Sequence, residues 1–215
     1  MRKIICFAVA MLVCAAPVFA YDDDEDTKQR SEIVLKLEIA PAGQINTKNS
    51  ITPGVSFSGE QIADNNGFYI AAEYYFYLFK FLGLGCGLKQ QFERHIKYFG
   101  DLSITNFYLA VKPKLQLRPE AKGSKCNEFV YLLFQGGYGI LNSEYKLKHG
   151  GANIDTSTEN GLYYAGGIGF QLNSFIFEIL FCVNESKIKG KEAWSGTMDA
   201  TYTTTNLNVG YRFGF

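Results

Sequence analysis

The last thirteen residues, Thr203-Thr204-Thr205-Asn206-Leu207-Asn208-Val209-Gly210-Tyr211-Arg212-Phe213-Gly214-Phe215, alternate two kinds of side chain without a break. Thr203, Thr205, Leu207, Val209, Tyr211, Phe213 and Phe215 fall on one face of an extended chain. Thr204, Asn206, Asn208, Gly210, Arg212 and Gly214 fall on the other, because successive strand residues point to opposite sides. The stretch is also longer than the roughly five or six residues of a typical soluble strand.

Working back from the terminus, the same period recurs in seven further runs. Their apolar faces are Ile33 to Ile39, Phe68 to Leu78, Leu82 to Phe92, Thr105 to Leu117, Val130 to Ile140, Leu162 to Phe170 and Phe175 to Val183, each at every second position. The opposite faces carry Lys36 and Glu38, then Glu73, Lys89 and Glu93, Lys112 and Lys114, and Glu178, joined by Arg212 of the last run. Gly83, Gly85 and Gly87 on the polar side of the third run make room for something large opposite. Pro113 lacks an amide donor, so a bulge is expected there.

Alternation alone is shared with soluble sandwiches. Length and charge decide against one. A lipid-crossing strand needs about 9–11 tilted residues, and a soluble core of this size could not bury so many charges. In hydrocarbon every backbone group must pair, so a crossing sheet has to close on itself. Eight runs is an even number, as bacterial barrels require. The fold expected is all-β: an eight-stranded antiparallel up-and-down transmembrane β-barrel over residues 31–215. Links after the second and sixth runs are short. The long polar ones, Gly43 to Asn66, Lys146 to Asn160 and Glu185 to Ala200, are expected as outer loops.

The start of the chain reads as an address. Arg2 and Lys3 precede the apolar Ile4 to Val13, and Val18-Phe19-Ala20 offers a cleavage site, so residues 1–20 are expected to be a removed signal peptide. Residues 21–30, with Asp22-Asp23-Asp24-Glu25-Asp26, are expected to be an acidic flexible linker. Basic and acidic residues balance at 21 each, which gives no reason to expect nucleic acid as a partner. Beyond the signal no run of eighteen apolar residues exists, so helical membrane spans are excluded. Cys86, Cys126 and Cys182 are an odd set, not a disulfide framework.

At this point the chain resembles the small outer-membrane β-barrel family of OmpA- and OmpX-type, the porin-family barrel domain. The resemblance rests on the signal segment, the eight amphipathic runs and the closing aromatic strand. It implies that Tyr211, Phe213 and Phe215 form the signal read by the barrel-assembly machinery. It also implies a bacterial outer-membrane location among phospholipid and lipopolysaccharide.

Chemistry is sparse. His95 and His149 fall in expected outer loops without metal-ligand spacing, and His95-Ile96-Lys97 offers no His/Ser pair for lipid hydrolysis. The runs Gly136-Gly137-Tyr138-Gly139 and Gly166-Gly167-Ile168-Gly169 sit in strands with no helix after them, so they are not phosphate loops. No cofactor or metal is expected. Lys36, Glu38, Glu73, Lys89, Lys112, Lys114, Glu178 and Arg212 are expected to form a charge network inside a lumen that eight strands leave just wide enough for side chains. Trp194, in the last long link, reads as an interfacial anchor. The function expected is a non-enzymatic barrel with a structural or surface-interaction role, its extracellular partner unknown. A narrow channel or small-ligand carrier is one alternative, and a lipid-modifying enzyme the other.

Overall fold

The computed structural model describes residues 31–48, 59–63, 66–79, 81–96, 100–117, 128–143, 146–149, 152–190 and 197–214. Expectations for the signal segment, the acidic linker, Cys126, Trp194, Phe215 and the link 118–127 lie outside the described residues. Eleven strands follow one another: β1 Ser31–Lys48, β2 Gly59–Ile62, β3 Gly67–Phe79, β4 Leu82–Ile96, β5 Gly100–Gln116, β6 Glu128–Ser143, β7 Lys146–His149, β8 Ala152–Glu159, β9 Gly161–Leu172, β10 Phe175–Gly190 and β11 Thr197–Gly214. β1, β3, β4, β5, β6, β9, β10 and β11 pair in that order, antiparallel throughout, and β11 also pairs with β1, so the sheet closes.

The registers fix the width. From Ile140 on β6 the ladder runs through Thr105, Gln90, Ile70, Leu37, Val209, Phe177 and Phe170, and returns to β6 at Val130, ten residues displaced. Eight strands with that stagger tilt by about 40° and enclose a backbone radius of about 8 Å. Inward side chains from opposite walls must therefore meet. Tyr108 lies over Gly87, where a Cβ would come within 2.6 Å of the ring, and Tyr131 covers Gly169 in the same way. These tyrosines are the large groups for which the glycines make room.

Three expectations are corrected. Pro113 makes no bulge: β5 keeps one register with β6 on both sides of it, passing from Val111↔Phe134 to Lys114↔Tyr131. The register shifts fall instead between Ile39 and Ala42, beside Pro41, between Tyr77 and Phe79 at the turn end of β3, and between Gln91 and Arg94. The shift after Gln91 is the consequential one. It reverses the alternation, so Glu93 is exposed and Arg94 is fully buried inside. The expected outer loops are in large part wall. β1 runs on to Lys48 with β2 beside it, β7 and β8 form a hairpin within Lys146 to Asn160, and β10 and β11 extend to Gly190 and from Thr197. His95 belongs to β4, outward, with Nδ1 2.9 Å from Asp101 Oδ1. His149 belongs to β7.

Along these extensions the faces exchange character. On β10, Phe177, Ile179 and Phe181 point outward with Glu178 and Asn184 inside, whereas farther on Glu185, Lys187 and Lys189 point outward with Ile188 inside. β11 changes from outward Leu207 and Val209 to outward Asp199, with Met198 and Ala200 within. β5 changes from outward Leu109 and Val111 to outward Asp101, with Leu102 and Ile104 within.

Candidate functional site in the barrel lumen

Inside the half that bears the short turns, the inward positions of adjacent strands bring charges together in three tiers. At the turn end, Glu32 of β1 takes Lys112 at 2.8 Å, Lys114 at 3.2 Å and Arg212 at 3.4 Å. The Tyr77 hydroxyl donates to the same carboxylate. Lys112 stands between the rings of Tyr75 and Tyr131, 4.5 Å from each centroid, a contact that stabilises a desolvated ammonium.

One tier deeper, Lys36 bridges Glu73 at 2.5 Å and Glu178 at 2.7 Å. All three side chains are cut off from solvent. The remaining carboxylate positions accept from Tyr75, Tyr108 and Gln135 on Glu73, and from Tyr131 and Asn208 on Glu178. Above them Lys89 meets Glu38 at 2.8 Å, Asn206 donates to the same oxygen, and Cys182 lies 3.5 Å from the ammonium. Buried charge is tolerated only where both members are paired and their spare lone pairs engaged, and each of these carboxylates has several donors.

All eight charges expected in the lumen face inward, and each has an ion-pair partner. Two residues central to the arrangement were missed. Glu32 holds the first tier, but its importance depends on which strands β1 pairs with. Arg94 donates to the Tyr202 hydroxyl at 3.0 Å, at the junction with the outer half, and a straight alternation puts it on the wrong face. Beyond Arg94 the described lumen is mainly apolar: Ile45, Leu102, Ile104, Leu141, Ile188, Met198, Ala200 and Tyr202 pack as one buried cluster, with Thr47 and Ser186 buried beside them.

Between tiers and cluster, Gln91, Asn106, Asn184 and Thr204 are buried with side-chain oxygens that meet no donor among the described residues. Among the described residues no group of His, Cys, Asp and Glu has the geometry of a metal site. Tyr211 and Phe213 lie outward at the turn end, their rings in edge contact with each other and, for Tyr211, with Phe175.

A closed eight-stranded wall with an apolar outer belt and charged interior suits a barrel that crosses lipid, and a model of the outer membrane protein beta-barrel domain family matches residues 6–213. The chain belongs to that family. Among solved structures, OprG from Pseudomonas aeruginosa aligns over 86% of this chain and 97% of its own, at 12% identity and a TM-score of 0.54. AlkL, determined in DMPC bilayers, aligns over 91% and 96%, at 8% identity and 0.55. Ail, the attachment invasion locus protein of Yersinia pestis, aligns over 87% and 100%, at 14% identity and 0.41. At these identities the likeness to OprG and AlkL is one of fold. No curated protein matches the chain.

Membership places the barrel in the bacterial outer membrane. By the usual asymmetry of the family the short turns are periplasmic and the extended wall extracellular. The exchange of faces then has a cause. Within lipid the outside must be apolar and the polar residues turn inward. Above the lipid, water takes the outside and the wall packs an apolar interior, as a soluble protein does.

Proposed function

We propose that this protein is a non-enzymatic outer-membrane barrel with a closed lumen and a structural or surface-interaction role, its specificity carried by the extended extracellular wall. One observation carries the reading: both halves of the described interior hold buried side chains, paired charges and tyrosines toward the periplasm and the apolar cluster outside. Arg94, Tyr75, Tyr131, Tyr163, Tyr202, Lys89 and Lys112 are among the largest fully buried side chains. Phospholipid and lipopolysaccharide are the surroundings proposed for the outward apolar belt. The barrel-assembly machinery is the proposed reader of Tyr211, Phe213 and Phe215.

Purified mature protein in planar bilayers should show no discrete openings. Reproducible single-channel steps abolished by exchanging Glu73 or Glu178 would refute a closed lumen.

A second reading, a narrow channel or small-ligand carrier, draws support from the buried oxygens of Gln91, Asn106, Asn184 and Thr204, which form a polar break in an otherwise packed interior. Conductance decides between the two. The lipid-modifying alternative draws nothing from His95, whose observed partner is Asp101 on the exposed wall. Lipid A of unchanged mass in cells with and without the protein is the outcome expected.

A further inference from the structure

In the charged half, rings cover inward glycines: Tyr77 lies over Gly83, Tyr108 over Gly87 and Tyr131 over Gly169. Gly139, at the boundary with the outer half, is different. A Cβ there would lie 2.8 Å from Asn106 Oδ1 and 2.9 Å from Asn184 Oδ1, and the next atom is Asn184 Cγ at 3.8 Å. Two carbonyl oxygens from different strands therefore converge over one bare backbone position. The registers explain how. Asn106 on β5 is the direct partner of Gly139 on β6, and β9 offers only Gly161 at this level, so Asn184 of β10 reaches across it. Asn106 is 1% and Asn184 3% exposed, and neither oxygen meets a donor among the described residues. Gln91 Oε1 is a third such oxygen, one inward step along β4 from the Lys89↔Asn106 pair. The whole layer is short of donors, so the two asparagines are not an isolated accident of orientation.

Two like oxygens aimed at one spot repel unless a donor stands between them, and a buried acceptor without a donor is costly. The charge nearby selects the donor. Lys89 is the register partner of Asn106, and its ammonium is taken up by Glu38 at 2.8 Å and Cys182 at 3.5 Å. That ammonium opposes a second cation beside it, and converging carbonyl oxygens oppose an anion. A neutral molecule with two O–H donors suits both, and it fits the room that a missing side chain leaves. We infer that Gly139, Asn106 and Asn184 form a seat for an ordered water molecule, which donates one hydrogen to each Oδ1. The water pins β10 to β5 across the end of β9, at the level where the charged tiers give way to the apolar cluster. Its isolation from bulk water rests on the closed lumen proposed above.

The test is water-edited solid-state NMR of the mature protein in deuterated lipid bilayers, which reads how fast magnetisation passes from water to each site. The Nδ2 groups of Asn106 and Asn184 and the amide of Gly139 should build up several-fold faster than the buried Leu133, Ile176 and Leu180. Build-up at the asparagines as slow as at those three, with one amide bonded directly to the other, would overturn the seat and leave the closed lumen standing. Uniformly fast build-up at all six residues would overturn the closed lumen, and with it a discrete seat. Exchanging sodium chloride for potassium chloride should leave the Asn106 and Asn184 signals in place, whereas a shift of both would assign the seat to a cation and overturn the proposal. In Asn184→Leu, which removes one of the two acceptors, Asn106 and Gly139 should lose their fast build-up. The measurement on the native chain needs no substitution, so a variant that fails to fold does not decide the result.

Discussion

The two halves of the lumen are continuous along β1, β4, β5, β6, β10 and β11, with β2 and β8 beside β1 and β10 in the outer half, and they are filled differently. In the periplasmic half Glu32, Lys36, Glu73, Lys89, Lys112 and Glu178 are buried in a paired network. In the extracellular half Leu102, Ile104, Leu141, Ile188 and Met198 are buried against one another. The difference teaches that the interior of a barrel is set by what surrounds it. Where lipid claims the apolar residues, the inside inherits the polar ones and must pair them, and where water claims the polar ones, the inside is an ordinary core.

The comparison breaks most visibly at Lys36. Lys36→Met leaves Glu73 and Glu178 facing each other without their shared cation. A broken buried pair costs about 3–5 kcal/mol, so urea unfolding in lipid vesicles should show a loss of that size, and a neutral result would mean that the tiers hold little of the stability. Next is the lipid face at the same depth. Val111→Lys, in the outward apolar belt of β5, should cost about 2–4 kcal/mol if that face meets the bilayer midplane, read from the same unfolding curves.

In the outer half Ile104→Val removes one methyl from a packed cluster and should cost about 0.5–1.5 kcal/mol, with no dependence on salt. A strong salt dependence would mean that charge also reaches the extracellular half. The smallest effect is expected on the outer surface of that half, where Lys189 pairs with Glu159 at 2.5 Å in the open. Lys189→Gln should change stability by less than about 1 kcal/mol, and by less still in high salt.

How far this was legible in the sequence follows the same division. In the membrane half the period of two is broken only near the strand ends, as at Leu78-Phe79, and the lumen charges could be assigned because an apolar neighbour on either side needed the lipid. Which charges meet was not legible, since Lys36, Glu73 and Glu178 are brought together by the registers of four different strands. Arg94 was missed because a bulge inserts one residue after Gln91, a change of backbone that Phe92-Glu93 does not announce. The outer half was read as loops for a physical reason too. Its outward residues, such as Glu185, Lys187, Asp199 and Thr201, are those of any solvated surface. The inward apolar partners, Ile188 and Met198, look isolated until their strands are aligned.

The boundary between the halves is the claim on which the rest depends, and tryptophan scanning along β10 tests it directly. With Trp194 replaced by Phe, a single Trp is placed at Phe181 or at Lys187, both outward on one strand, and its fluorescence is measured in vesicles of brominated lipid. Strong quenching at 181 and little at 187 is the result predicted. Equal quenching at both positions, or none at 181, would contradict an exchange of faces at the lipid surface.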